Sequence, residues 1–140
     1  LGSSCTCSLT YFELDFIGVA QRKAHCIAGT SALAKCFKNW NSVNAEGDKE
    51  NEQVGPCFFE AEGWENENGR DAPSFEYRYV LLGIDLTNLS LLEESLLLKG
   101  FDKSLPTLFQ AECVLNYIAP APASSLIAWT ASLPQCAFVR

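Results

Sequence analysis

The sequence is poor in the residue patterns that usually hold metals or disulfides. It has one histidine, His25, and its seven cysteines include no Cys-x-x-Cys pair. Structural zinc sites usually contain such pairs, and the Asp-x-Asp-x-Asp-Gly pattern of a calcium loop is also absent. An odd number of scattered cysteines is a poor disulfide framework and is typical of a reduced, intracellular protein. We therefore expect no metal site and a cytoplasmic location.

Two further absences concern membranes and nucleic acids. No apolar run reaches the roughly 18 residues that a membrane-spanning helix needs. The sequence has ten Lys and Arg against 17 Asp and Glu, which gives a formal net charge of −7. The basic residues form no cluster of the kind that holds polyphosphates. We expect no membrane contact, and a nucleic-acid partner would have to be held mainly from outside this sequence.

The negative charge is concentrated in one polar segment. Residues 44–72 contain nine Asp or Glu and only two basic residues, are rich in Asn and Gly, and show no periodicity. Such a composition is typical of a long, disordered loop. We therefore predict an acidic insertion loop over 44–72, without regular structure.

The rest of the sequence alternates between strand-like and helix-like patterns. Short apolar or aromatic runs predict strands, and apolar residues spaced by three and four predict helices. The predicted strands are 9–14, 79–84, 107–111 and 137–139, and the predicted helices are 16–27, 90–99 and 123–132. Ser90 and Glu93 match a capping box at the start of the second helix, and Gly100 is placed to end it. Strands that alternate with helices predict an α/β fold with a parallel sheet core.

An acidic residue follows each of the first three predicted strands. These residues are Asp15, Asp85 and Glu112. Because parallel strands point the same way, all three would lie along the carboxyl edge of the sheet, where open α/β sheets bind ligands. The alternative is that each is only a polar residue that ends a strand or caps a helix. In nucleotide-binding sheets such a carboxylate can accept hydrogen bonds from the ribose hydroxyls, and Asp15 fits that role.

Several motifs resemble those of the leucine carboxyl methyltransferase family. They occur in the family's order and are Tyr11-Phe12-Glu13-Leu14-Asp15-Phe16, Gly83-Ile84-Asp85-Leu86, Leu105-Pro106-Thr107-Leu108 and Ala111-Glu112-Cys113-Val114-Leu115-Asn116-Tyr117. The resemblance is strongest over 79–139, extends to 9–27 and omits the acidic segment. It implies a partial Rossmann-like fold of class I S-adenosylmethionine-dependent methyltransferases, with 1–140 forming an incomplete methyltransferase domain.

The resemblance also implies a cofactor, an acceptor and roles for individual residues. The cofactor would be S-adenosyl-L-methionine, and the acceptor a carboxylate. Asp15 would bind the ribose, while Asp85 and Leu86 would bind the adenosine. Glu112 would line the cofactor pocket, and Tyr117 would face the substrate. No catalytic residue is assigned, because a carboxylate is already ionised at neutral pH and proximity and orientation can supply the catalysis.

Two branches of the family differ in their acceptor. Leu126-Ile127-Ala128-Trp129 and Leu82-Gly83-Ile84-Asp85 are closer to the branch that methyl-esterifies a wybutosine precursor in phenylalanine tRNA. The alternative acceptor is the C-terminal leucine of the protein phosphatase 2A catalytic subunit. A third reading is a truncated, catalytically inactive fragment, because the Gly-rich loop that precedes these motifs in the family is reduced here to Leu1-Gly2. The resemblance does not fix the oligomeric state.

Overall fold

The computed structural model describes residues 7–35, 38–43, 57–62 and 75–139. The chain divides into two compact units, Leu1–Ile84 and Asp85–Arg140. In chain order, the first unit contains β1 (Cys7–Asp15), α1 (Ile17–Gly29), α2 (Ser31–Ala34), β2 (Lys38–Val43), β3 (Cys57–Glu62) and β4 (Phe75–Gly83). The second contains α3 (Leu89–Leu98), β5 (Thr107–Gln110), a 3₁₀ turn (Val114–Tyr117), α4 (Pro120–Ala131) and β6 (Cys136–Val139).

The first unit is built on a four-stranded sheet of mixed direction. Its strand order is β1-β4-β3-β2. β1 and β4 run parallel over nine paired positions, from Cys7 opposite Phe75 to Asp15 opposite Gly83. β3 is antiparallel to both β4 and β2. The predicted parallel sheet core is therefore confirmed for β1 and β4, but the antiparallel β3 makes this sheet mixed.

β3 lies inside the segment that was predicted to be an acidic loop. Its six residues pair with β4 from Cys57 opposite Gly83 to Glu62 opposite Arg78. The prediction of a loop without regular structure is therefore wrong at 57–62. The side chains of Phe58, Phe59 and Ala61 are buried, which gives this strand an apolar contribution to the core despite its acidic surroundings. The flanking parts of the predicted loop, 44–56 and 63–72, lie outside the described residues.

The apolar run of β4 places this strand at the centre of the first unit. Val80, Leu81 and Leu82 are each 0% exposed, and full burial of a leucine side chain stabilises a fold by about 2 kcal/mol. α1 covers one face of the sheet with Ala20 and Ala24, which pack in one cluster with residues of the strands. Their spacing of four is the helical period that predicted this element.

The second unit contains a short parallel pair of strands joined through a helix. β5 pairs with β6 in parallel, from Thr107 opposite Cys136 to Gln110 opposite Val139. α4 lies between them in the chain and begins with Pro120 in its first turn, where proline costs no helical hydrogen bond. The β-α-β order predicted for this part of the chain is confirmed. The fold class is α/β, with the parallel strands divided between two sheets.

The ends of α3 show one correct and one incorrect prediction of helix boundaries. Asn88 is the N-cap, and its side chain accepts a hydrogen bond from the backbone nitrogen of Leu91 at 3.2 Å. The predicted capping box of Ser90 and Glu93 is therefore wrong, because the helix starts before Ser90. Gly100 ends the helix as predicted, with φ of 81°, in the left-handed conformation that glycine adopts most easily.

The described residues contain neither a candidate membrane-spanning helix nor a candidate metal cluster. None of the helices described is both long and apolar enough to cross a bilayer. In the same residues, no three His, Cys, Asp or Glu side chains are grouped so that they could hold a metal ion. The three cysteines described with their side chains, Cys26, Cys113 and Cys136, are not in disulfides.

Candidate functional site

The carboxyl ends of β1 and β4 form the edge of the first sheet on which the predicted site depends. Asp15 is the last residue of β1 and lies opposite Gly83. The backbone nitrogen of Ile84 donates to the carbonyl oxygen of Asp15 at 2.8 Å. Asp85 is the next residue along the chain. The two strands run in parallel, as the sequence predicted, and their observed register extends to the last residue of each.

The Asp15 carboxylate lies in the turn between β1 and α1. That turn consists of Phe16 alone, whose backbone nitrogen donates to Oδ1 of Asp15 at 2.7 Å. The carbonyl oxygen of Phe16 then accepts from the backbone nitrogens of Val19 and Ala20 at 2.9 and 3.0 Å. The orientation of the carboxylate is thus coupled directly to the first turn of the helix, whose positive dipole end favours a negative group.

Asp85 is exposed and closes a short turn, whereas the following residue is buried. Its Oδ1 accepts from the backbone nitrogen of Thr87 at 2.9 Å and from the Thr87 hydroxyl at 2.8 Å. These two hydrogen bonds, the backbone one first, hold the pKa of the Asp85 carboxyl below its ordinary value. Leu86 is 8% exposed, so it offers a ligand only a small apolar surface.

Glu112 and Tyr117 flank the turn that follows β5. Glu112 is exposed. Cys113, the next residue, has φ of 60°, a conformation that is uncommon for a residue with a side chain and that turns the chain into the 3₁₀ segment. Tyr117 is the last residue of that segment and is 80% exposed. Both predicted site residues are therefore exposed to solvent.

The predicted site residues are divided between the two units. Asp15 belongs to the first unit, and Asp85, Leu86, Glu112 and Tyr117 belong to the second. Within the first unit, the end of β1 is aligned with the end of β4, as the sequence predicted. The alignment of Glu112 with the other two acids along one edge remains a prediction, because β5 belongs to a separate two-stranded sheet.

One polar cluster beside Asp15 was not predicted from the sequence. The Glu13 carboxylate, two residues before Asp15 on β1, lies 2.5 Å from the Lys23 ammonium of α1 through both of its oxygens. The Tyr79 hydroxyl of β4 donates to Oε2 of Glu13 at 2.7 Å. We call Glu13, Lys23 and Tyr79 the Glu13 junction, since it joins β1, α1 and β4.

Aromatic side chains surround the Glu13 junction on the same face of the sheet. The ring of Tyr79 stacks on Tyr11 with centroids 5.9 Å apart and on Trp40 with centroids 6.3 Å apart. Burial raises the pKa of the Tyr79 hydroxyl above its ordinary value, and the hydrogen bond to Glu13 raises it further. Tyr79 therefore stays protonated over the neutral range and acts as a permanent donor to Glu13. An acid within an aromatic strand, followed by a lysine on the next helix, is the only signal in the sequence for this arrangement.

Asp15 and Asp85 each carry the type of acceptor group that the cofactor implied by the sequence resemblance needs. A ribose diol needs a carboxylate that can accept two hydrogen bonds, and Asp15 offers one at the end of a strand. An adenine amino group needs an acceptor, and Asp85 is an exposed carboxylate with only Oδ1 engaged by Thr87. Each carboxylate by itself has the chemistry to bind one group of the adenosine part of S-adenosyl-L-methionine, whose sulfonium supplies an activated methyl group when the cofactor is bound.

Comparison with known proteins gives a consistent set of similarities. The sequence model described as leucine carboxyl methyltransferase matches residues 3–131. The human tRNA wybutosine-synthesizing protein 4 is 35% identical over 132 residues, which is 91% of this chain and 16% of that protein. Leucine carboxyl methyltransferase 1 from Rattus norvegicus is 31% identical over 121 residues, which is 86% of this chain and 30% of that protein.

A shorter match is closer in sequence. The tRNA wybutosine-synthesizing protein 4 of Rattus norvegicus is 47% identical over 62 residues, which is 44% of this chain and 9% of that protein. In each of these three pairs the chain spans less than a third of the relative's length. The similarities therefore apply to one part of larger proteins.

Proposed function

The chain belongs to the leucine carboxyl methyltransferase family, and on that premise we propose that it forms part of the cofactor-binding core of a cytoplasmic carboxyl O-methyltransferase. The cofactor is S-adenosyl-L-methionine, which this family uses. In the proposal Asp15 binds the ribose, Asp85 and Leu86 bind the adenosine, and Glu112 lines the same pocket. Tyr117 faces the acceptor.

The observation that carries the proposal is the parallel register of β1 and β4. It places Asp15, the last residue of β1, opposite Gly83, the last residue of β4, and Asp85 follows two residues after Gly83. Nucleotide-type ligands bind at the carboxyl ends of parallel strands. A Rossmann-like arrangement of the whole domain, with Glu112 at the same edge, is part of the proposal.

The proposed chemistry places modest demands on side chains. A carboxylate acceptor is ionised at neutral pH, so transfer of a methyl group from the sulfonium needs no general base. What the protein must supply is the in-line approach of the acceptor oxygen to the methyl carbon. Accordingly, the residues assigned here bind and orient, and none is assigned as catalytic.

We propose a wybutosine precursor in phenylalanine tRNA as the acceptor. The support is the 35% identity over 91% of the chain to the human tRNA wybutosine-synthesizing protein 4. The second candidate acceptor is the C-terminal leucine of the protein phosphatase 2A catalytic subunit, supported by the 31% identity over 86% of the chain to the rat leucine carboxyl methyltransferase 1. The two candidates share the cofactor and the residues that bind it.

The proposal is tested by titrating this chain with S-adenosylhomocysteine in a calorimeter. We expect micromolar binding that Asp15→Ala weakens at least about tenfold, because the ribose hydroxyls lose a charged acceptor whose hydrogen bonds are worth about 1.5–3 kcal/mol. Asp102→Ala is the matched control. It removes an exposed aspartate that closes a turn with Ser104 but is not part of the proposed site, and we expect it to leave the affinity unchanged.

Two outcomes would contradict the proposal in different ways. If the folded chain does not bind S-adenosylhomocysteine, it is an inactive piece of a methyltransferase, as the third reading of the sequence holds. If it binds but Asp15→Ala and Asp102→Ala have the same effect, the cofactor is held elsewhere and the assignment of Asp15 to the ribose is wrong.

A further inference from the structure

We propose that the Glu13 junction positions Asp15 for the cofactor. Through Lys23 and Tyr79, Glu13 connects α1 and β4 to β1 at a point two residues before Asp15. The inference rests on the proposed function for what Asp15 binds, but not for how Asp15 is held. Glu13 itself touches no cofactor in this proposal and is a positioning residue.

The orientation of Asp15 depends on where α1 begins. Its Oδ1 accepts from the backbone nitrogen of Phe16 at 2.7 Å, and Phe16 is the N-cap of α1. No other residue separates the strand from the helix. A small rotation of the helix about the end of the strand would therefore move the donor away from the carboxylate.

Lys23 prevents such a rotation of α1. It lies in the second turn of α1, and its ammonium contacts both carboxylate oxygens of Glu13 at 2.5 Å. Glu13 and Asp15 are two residues apart on β1 and thus on the same face of the sheet. The helix is consequently attached to the strand at two points, Phe16 and Lys23.

Tyr79 in turn holds the Glu13 side chain in place. Tyr79 is 5% exposed, and its ring is fixed by stacking on Tyr11 and Trp40. Its hydroxyl donates to Oε2 of Glu13 at 2.7 Å, which selects one rotamer of the glutamate. A buried donor on the central strand therefore sets the position of the group that anchors the helix.

The ion pair between Glu13 and Lys23 matters more for the position of Asp15 than for the stability of the fold. Side-chain exposure is 43% for Lys23 and 26% for Glu13, and ion pairs with this exposure contribute little to the free energy of unfolding. Binding, in contrast, depends on locking the side chains that contact the ligand through their supporting hydrogen bonds. Loss of the ion pair should thus affect the geometry of Asp15 more than the stability of the fold.

The test uses nuclear magnetic resonance on the ligand-free chain. The scalar coupling across the hydrogen bond between the Phe16 nitrogen and the Asp15 carboxyl carbon reports the positioning directly. We expect this coupling in the wild type and its loss in Glu13→Gln and Lys23→Met. Lys23→Arg keeps a charged, bidentate donor and should retain the coupling.

Glu60→Gln is the control for loss of an ion pair in the same sheet. Glu60 contacts Arg78 at 3.2 Å, and alternation along the strands places this pair on the opposite face from Glu13. Glu60→Gln should leave the coupling intact. If the coupling persists in both Glu13→Gln and Lys23→Met, the inference is overturned.

A parallel titration with S-adenosylhomocysteine connects the geometry to binding. We expect the dissociation constant to rise about fivefold in Glu13→Gln and Lys23→Met, which corresponds to one net hydrogen bond, and to stay near the wild-type value in Lys23→Arg and Glu60→Gln. Unchanged affinity in Lys23→Met, beside a clear effect of Asp15→Ala, would also overturn the inference. If the wild type does not bind at all, the proposed function fails, and the coupling alone decides whether the junction positions Asp15.

Discussion

The carboxylates of Asp15, at the end of β1, and Asp85, two residues after β4, are held by different donors. Asp15 accepts from one backbone nitrogen, that of Phe16. Asp85 accepts from both the backbone nitrogen and the hydroxyl of Thr87, and these hydrogen bonds favour its ionised form. Asp85 is thus a permanent acceptor at neutral pH, as contact with an adenine amino group would require.

The contribution of the Thr87 hydroxyl to Asp85 can be measured. We predict that Thr87→Val raises the pKa of the Asp85 carboxyl toward its ordinary value of about 3.9. The pKa should stay below that value, because the backbone nitrogen of Thr87, the larger cause of the lowered pKa, remains. A pH titration of the Asp85 carboxyl carbon by nuclear magnetic resonance provides the measurement. Thr107→Val, which removes a hydroxyl bonded only to a carbonyl oxygen, should leave this titration unchanged.

The lowered pKa of the Asp85 carboxyl determines the direction in which stability changes with pH. The pKa of Asp85 is lower in the folded than in the unfolded chain, so its contribution is fully present above the unfolded value of about 3.9. It is lost as the pH falls through the folded pKa. The wild type should therefore exceed Thr87→Val in stability at neutral pH and lose that advantage in acid. If the stability difference between the wild type and Thr87→Val grows as the pH falls, the Thr87 hydroxyl does not stabilise the ionised Asp85 carboxylate.

Sequence reasoning found the acids at the strand ends but not the partners that hold them. Asp15 could be predicted because a strand-like run stops there. The Glu13 junction could not, because Tyr79 is 66 residues from Glu13 in the chain and only the pairing of β1 with β4 brings them together. Contacts of this kind depend on register, which no local pattern specifies.

At the scale of elements, the start of α3 provides a direct comparison between sequence pattern and structure. We predict that Asn88→Ala lowers the free energy of unfolding by about 1 kcal/mol, the usual cost of removing an N-cap. Ser90→Ala is the matched control, since Ser90 is the residue that the capping-box pattern selected. It lies inside the helix, and its replacement should change stability by less than about 0.5 kcal/mol. Urea unfolding followed by circular dichroism measures the free energy of unfolding of both variants. A larger loss for Ser90→Ala than for Asn88→Ala would mean that Ser90 caps the helix, as the capping-box pattern predicts.

The strands differ in how far the sequence could predict them. The run of β4 is apolar and continuous, so burial on both faces was expected. β3 was missed because its acidic neighbours dominate the composition of 44–72, although Phe58 and Phe59 are 7% and 5% exposed in the structure. β2 has the sequence KNWNSV, and it is a strand because it pairs with β3 rather than because of a pattern of its own.

At the scale of the whole molecule, charge bears on the proposed acceptor. The formal net charge is −7 and the isoelectric point is about 4.6, and the basic residues are scattered. Affinity for RNA depends largely on the number of phosphates neutralised by Lys and Arg. The proposed tRNA substrate would therefore have to be bound mainly by regions of the methyltransferase outside this sequence.

We therefore predict that the chain alone binds phenylalanine tRNA no more tightly than about 10⁻⁴ M at physiological salt, the weak limit of nonspecific binding. A variant with Glu46, Asp48, Glu50 and Glu52 replaced by their amides removes four negative charges from the acidic segment. It should bind more tightly than the wild type at low salt and equally weakly at high salt. A gel-shift titration over a range of salt concentrations measures both proteins. Micromolar binding by the wild type, with a steep salt dependence, would show that its few basic residues form a tRNA-binding surface after all, and that this part of the protein contributes to acceptor recognition in addition to the cofactor binding proposed for it.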